Sequence, residues 1–194
     1  MRRPGHRTAL AAAYGAGALA LASAAPPAVA TAAISTVWAS FVASISFTEA
    51  WVKFQAPTLD TAAAVDAGRH VFAALNAVEG GLAVGLAASL AGGGMSRQAQ
   101  ALAAAPLAVL ALDVVALTPA LDKRARQRIA ASALPGGSAK RVAAVRAIQA
   151  SVAGAEPPPA ALHAVYVVGE AVKLGALAVL AAQAAGAAVR GEGL

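Results

Sequence analysis

The sequence predicts an all-α membrane protein: a four-helix transmembrane bundle plus an N-terminal hydrophobic segment, with five spans if that segment is retained. Three observations carry the prediction. Apolar residues make up 59% of the 194 and charged residues only 12%, whereas a soluble domain carries about 25% charged residues. Mean hydropathy is +0.68, so there is too little polar surface to cover a soluble globule of this length. Five apolar runs approach or exceed the roughly 20 helical residues that cross a bilayer core of about 30 Å, and the basic residues gather between those runs rather than within them.

The first run covers residues 9–25. A basic start (MRRPGHR), an apolar centre (TALAAAYGAGALALA) and small residues (SAAPPAVA) form signal-peptide grammar, with Ala28-Val29-Ala30 as a cleavage site. The same residues also fit a short first span broken at Pro26-Pro27. Both readings stay open, and residues 1–30 are set apart as an N-terminal hydrophobic segment from the multi-pass domain of residues 31–194. The second run covers about 30–54. The third covers 71–91, preceded by a more polar turn or two from Asp60. The fourth covers 99–121 and the fifth 160–189. The runs are too long and too alanine-rich for barrel strands, so helix is expected throughout.

Orientation follows from charge. Residues 122–159 carry Lys123, Arg124, Arg126, Arg128, Lys140, Arg141 and Arg146, and the positive-inside rule places this loop in the cytoplasm. Counting back, Lys53 and Arg69 fall inside, Arg97 falls outside, and a retained first run puts Arg2, Arg3 and Arg7 inside. The C-terminus is then outside, and the expected location is the cytoplasmic membrane. Within the basic loop, LPGGS (134–138) reads as a flexible turn and EPPPA (156–160) as a stiff lead into the last helix. Residues 140–152 form either a short helix resting on anionic lipid, with Val142, Val145, Ile148 and Val152 on one face, or a solvated connector. The tetrads PTLD (57–60) and PALD (119–122) suggest an internal repeat in which proline ends a span and Asp60 caps the helix that follows. In an alanine-rich chain four-residue matches are cheap, and chance explains this one better.

The informative residues are the polar ones inside the runs. In FAALNAVEGGLAVG (72–85), Asn76 and Glu79 occupy the centre of an apolar stretch. A central charge costs about 2.5–3.5 kcal/mol on insertion scales and each large apolar residue returns about 0.3–0.6, so this helix is marginal alone and needs partners. Gly81 and Gly85 would let a neighbour approach closely. At 1.5 Å per residue, Glu79 lies about 15 Å above Arg69, Asp113 about 13 Å from Asp122, and Glu170 about 15 Å from residue 160. All three fall near the midplane, and Lys173 is one turn beyond Glu170. His163, Tyr166, Glu170 and Lys173 form one stripe on the last helix. Asp66, Arg69, Asn76 and Glu79 form another on the third run. Three midplane carboxyls against one ammonium leave two to be protonated, hydrogen-bonded, hydrated or bound to a cation, and protonation is the cheapest default. The candidate ion- or proton-binding residues are therefore Asn76, Glu79, Asp113, His163, Tyr166, Glu170 and Lys173. Glu49, Lys53, Asp66, Arg69 and His70 are candidate ion pairs at the inner boundary.

Several functions are disfavoured. The net charge of +6 is spread over loops with no aromatic interleaving, so no nucleic-acid partner is expected. The chain contains no cysteine, which excludes thiolate metal sites, disulfides and cysteine nucleophiles. His70 and His163 with Glu49 and Asp66 share the inner layer, but no local spacing supports a metal site, and no metal or cofactor is expected. There is no GxSxG elbow, no HExxH and no Walker A sequence, and hence no catalytic set.

The stretches FxxxxxFTEAWVKFQAPTLD, VDAGRHVFAALNAVE, ALTPALDKR and LHAVYVVGEAVKLGAL resemble a group of small bacterial four-helix integral membrane proteins over residues 31–180. The resemblance implies topology rather than chemistry and places residues 1–30 outside the shared core. The layout is more loosely similar to copper-resistance and haem-pathway four-helix membrane proteins, but an early-span histidine of the haem-binding kind is missing here. The functional expectation is a small proton- or cation-coupled carrier or ion-binding subunit. The alternative is a structural or assembly subunit whose buried polar residues only fix helix packing. The bilayer, a proton or small cation, and a second copy or another membrane protein are the partners this leaves in play.

Overall fold

A computed structural model describes residues 5–91, 96–132 and 138–191. The expectations for Arg2 and Arg3 and for the LPGGS turn fall wholly or largely outside the described residues. Among the described residues the chain is helical with no strand. We number its helices α1 (Gly5–Ala24), α2 (Pro27–Gln55), α3 (Thr61–Ala91), α4 (Arg97–Ala131), α5 (Ala139–Val152) and α6 (Ala161–Arg190). Helices α2, α3, α4 and α6 are each long and apolar enough to cross a membrane. Helix α1, a continuous 20 residues that include Gly15 and Gly17, is not one of those four.

Local chemistry sets the ends. Pro27 opens α2, where its missing N–H costs nothing. Asp60 Oδ1 accepts the Ala63 N–H at 2.7 Å and caps α3. Donation from that N–H, then the neighbouring Arg141 guanidinium, hold the Asp60 carboxyl below its ordinary pKa. Ser96 caps α4 and Ser138 caps α5. Gly191, at φ 65°, closes α6 in the left-handed conformation.

Pro119 does not end the fourth span, contrary to the expectation from PALD; α4 continues to Ala131. The turn before it, Asp113–Leu117, is a π-helical segment in which the Thr118 N–H reaches back five residues to the Asp113 carbonyl. Proline can neither donate to the carbonyl four residues back nor tolerate its proximity, and the widened turn absorbs both problems. A second π segment, Ala43–Glu49, interrupts α2, with the Ala50 N–H on the Ile45 carbonyl. There Thr48 Oγ1 also bonds the Ala43 carbonyl at 3.3 Å, a side chain competing with the backbone ladder.

Helices α2, α3, α4 and α6 pack around a shared core that includes Trp38, Val42, Leu82, Leu86, Leu177 and Leu180. Helix α1 lies along α3 and adds Ala18 to that same core. Close approach requires glycine here: a Cβ on Gly81 would fall 2.6 Å from the Ala11 carbonyl oxygen and 2.7 Å from the Gly15 nitrogen, and one on Gly85 would strike Ala18. The 122–159 connection is largely helical. Its α5 packs on the end of α4, with Val142, Val145, Ile148 and Val152 half-buried. Gln149 donates to the Ala130 carbonyl at 3.1 Å, Gln127 to the Ala155 carbonyl at 2.7 Å, and Arg141 meets Asp60 at 2.6 Å.

Candidate functional site

The four core helices meet at Lys173. Its Nζ lies 2.7 Å from Glu79 Oε1, 3.2 Å from Asp113 Oδ2 and 2.5 Å from Glu170 Oε1. All four side chains are buried, at 0–1% exposure. Glu79 comes from α3, Asp113 from α4, and Glu170 and Lys173 from successive turns of α6. Helix α2 supplies neutral donors: Trp38 Nε1–H donates to Glu79 Oε1 at 2.8 Å, and Ser46 Oγ–H to Glu170 Oε2 at 2.5 Å. Each π segment delivers one of these groups, Ser46 in the first and Asp113 in the second. π-Helical turns often occur at functional positions because the extra residue re-aims side chains.

The cluster is not fully satisfied. Glu79 Oε2, Asp113 Oδ1 and Glu170 Oε1 have no hydrogen-bond donor, although Glu170 Oε1 contacts the ammonium as an ion pair. A proton on one of these carboxyls would supply a donor on the side of the cluster that lacks one. Tyr166, one turn from Glu170, is buried with its ring edge-to-face on Phe72 at 5.5 Å. Its hydroxyl is buried without a hydrogen-bond partner.

Two of the sequence candidates lie elsewhere. Asn76 donates to Thr118 Oγ1 at 2.8 Å, one turn away from Glu79, and does not touch Lys173. His163 is exposed. Neither joins the group around the ammonium. The inner-boundary candidates pair among themselves: Lys53 with Glu49 at 2.9 Å, Arg69 with Asp66 at 2.6 Å, and His70 Nε2 with Asp66 at 3.9 Å. Arg69 also reaches Asp122 of α4 at 3.4 Å, and Asp122 pairs with Arg126 at 2.7 Å. Among the described residues, no group of three or more His, Cys, Asp or Glu side chains is placed to hold a metal ion.

The sequence reading missed Trp38, Ser46 and Thr118. The available signals were an indole, whose N–H requires a partner wherever it is buried, and hydroxyl residues recurring in a largely apolar α2.

Neither a family model, nor a curated protein, nor a solved structure matches this chain.

Proposed function

We propose that this chain is a multi-pass integral protein of the cytoplasmic membrane whose buried acid–lysine cluster binds and releases protons, making it a small proton-coupled carrier or ion-binding subunit. The membrane reading is supported by an inverted distribution of polarity. Glu79, Asp113, Glu170 and Lys173 are inside, while the outer faces of the same helices present Val84 at 52%, Val115 at 79% and Val168 at 63% exposure. Water would favour the reverse arrangement, and hydrocarbon favours this one. Trp51 and Phe54, both exposed beside Lys53, suit the level of lipid headgroups. Arg7, Arg69 and Asp122 line one cleft, which puts the start of α1 at the same end of the bundle as the basic 122–159 region. With that end in the cytoplasm, the orientation matches the positive-inside rule.

One observation carries the proton reading: three carboxyls surround a single ammonium where no side chain is more than 1% exposed. With all four ionised, the cluster holds two net negative charges in a poorly solvated interior, an arrangement that charge solvation strongly disfavours. Protons on the carboxyls remove the imbalance. Lys173 already occupies the centre of the carboxylate cage, so a metal cation would have to displace it, and this favours protons as the exchanged species. The alternative, a polar clasp within a structural subunit, draws on the same geometry, since Lys173 ties α3, α4 and α6 together.

Flux separates the two readings. Purified protein in sealed vesicles containing a pH-sensitive dye should dissipate an imposed proton gradient faster than protein-free vesicles. Glu79→Gln and Asp113→Asn should each slow this at least about tenfold, the scale of removing a relay group, while remaining folded. A wild-type protein without flux, whose variants change only in thermal stability, would establish the clasp.

A further inference from the structure

An open cleft of about 400 Å³ lies between α1, α3 and α4, with room for several water molecules. Arg69 and Asp122 face each other across it at 3.4 Å, and Arg7 of α1 also lines it. Its deepest polar groups are Asn76 and Thr118, joined by a 2.8 Å hydrogen bond. Asn76 is three residues before Glu79 on α3. The π turn places Thr118 one helical turn from Asp113, because the Thr118 N–H bonds the Asp113 carbonyl. Along the helices the Asn76–Thr118 pair therefore lies between the Arg69–Asp122 end of the cleft and the level of the two carboxyls, and Asn76 Oδ1 is buried there without a donor.

The geometry points to this cleft as the aqueous route by which protons from the basic end of the protein reach Glu79 and Asp113, with Asn76 and Thr118 as its last polar step. This rests on the carrier reading. The step is a simple transfer: a hydronium ion in the cleft gives its proton to Thr118 Oγ1, which passes its own hydroxyl proton, directly or through water, to Asp113 Oδ1 or Glu79 Oε2, while the Asn76 amide holds that hydroxyl by donating to it. An O–H bond forms there and water is left behind; deprotonation is the reverse. The charges around the cleft oppose other cations. Arg7, Arg69 and Arg126 outweigh Asp66 and Asp122, and fixed guanidinium charge excludes metal cations more effectively than it excludes a proton that hops along hydrogen bonds.

The absence of cysteine makes the test direct. Ala73→Cys and Ala77→Cys place single thiols in the cleft, and Val115→Cys places one on the outer face. Each is exposed, in oriented vesicles, to anionic sulfonate-bearing and cationic trimethylammonium-bearing methanethiosulfonates. Both cleft thiols should react from the basic end only. Their anionic-to-cationic rate ratio should exceed that of a free thiol by about fivefold to tenfold, as one net positive charge nearby requires. Val115→Cys should react poorly with both reagents. Asn76→Leu should slow proton flux about tenfold without loss of thermal stability. Unreactive cleft thiols, reaction from the opposite end, or a preference for the cationic reagent would each overturn the route. Flux in the wild type with unreactive cleft thiols would retain the carrier and remove the route. Reactive thiols with no wild-type flux would reduce the cleft to a solvent pocket and remove the carrier reading with it.

Discussion

Replacing Lys173 with methionine removes the one positive charge in the cluster while retaining most of its volume. Three carboxyls would then face one another with only Trp38 and Ser46 as donors, since the contacts at 2.7, 3.2 and 2.5 Å all involve the lost ammonium. Orphaning one member of a buried ion pair costs about 3–5 kcal/mol. For a chain of this size that lowers the melting temperature by about 10 °C. The assay is thermal unfolding in detergent, followed by loss of helical circular dichroism. Lowering the pH from about 8 to about 5 should shrink the deficit, because protons then supply the charge that the ammonium had supplied. Adding Glu79→Gln to Lys173→Met should recover part of the loss for the same reason. An unchanged melting temperature, or a deficit that grows on acidification, would refute the charge balance on which the account rests.

Four further outcomes follow from the same structure. Trp38→Phe keeps the ring in the core but removes the N–H donated to Glu79 at 2.8 Å; it should cost about 2 kcal/mol, as loss of a bond to a charged group does, readable as a melting shift of about 5 °C. Gly81→Leu drives a side chain into the α1 backbone, whereas Gly80 has open space around it, so only the Gly81 variant should destabilise, by about 1–3 kcal/mol, and expose α1 to proteolysis. Pro119→Ala restores a backbone donor and lets the π turn close to α, so flux should fall through the displaced Asp113 while thermal stability holds or rises. Asp60 has a lowered pKa in the folded state, so its contribution is present above its unfolded value and lost as pH falls through the folded one. Below about pH 4, hydrogen exchange at the start of α3 should quicken in the wild type, with the extra acid sensitivity absent from Asp60→Asn.

Depth was the legible part of the site. The rise per helical residue is nearly constant, so counting from the basic ends put Glu79, Asp113 and Glu170 at one level, and these residues meet at Lys173. Direction and pairing were less legible. Asn76 shares a broad stripe with Glu79, but its rotation around α3 turns it to Thr118. His163 is on the same face of α6 as Glu170, yet two turns along it the side chain is exposed. The π segments leave no periodic signature: Pro119 reads as a helix stop by local rules, and only a widened turn lets α4 pass it. Trp38 and Ser46 were read as part of an apolar run because their partners, Glu79 and Glu170, are 41 and 124 positions away. The packing of α1 on Gly81 and Gly85 was ambiguous, since small residues at helical spacing recur throughout so alanine-rich a chain.

Infrared difference spectroscopy of the reconstituted protein, recorded through a pH step in light and heavy water, reads the protonated carboxyls directly. An isotope-sensitive carbonyl band of a protonated acid is expected near neutral pH, changing on alkalinisation and lost or shifted in Glu79→Gln and Asp113→Asn. A spectrum without a protonated-acid band, with every carboxyl of the cluster ionised and unchanged across the step, would contradict the proton reading.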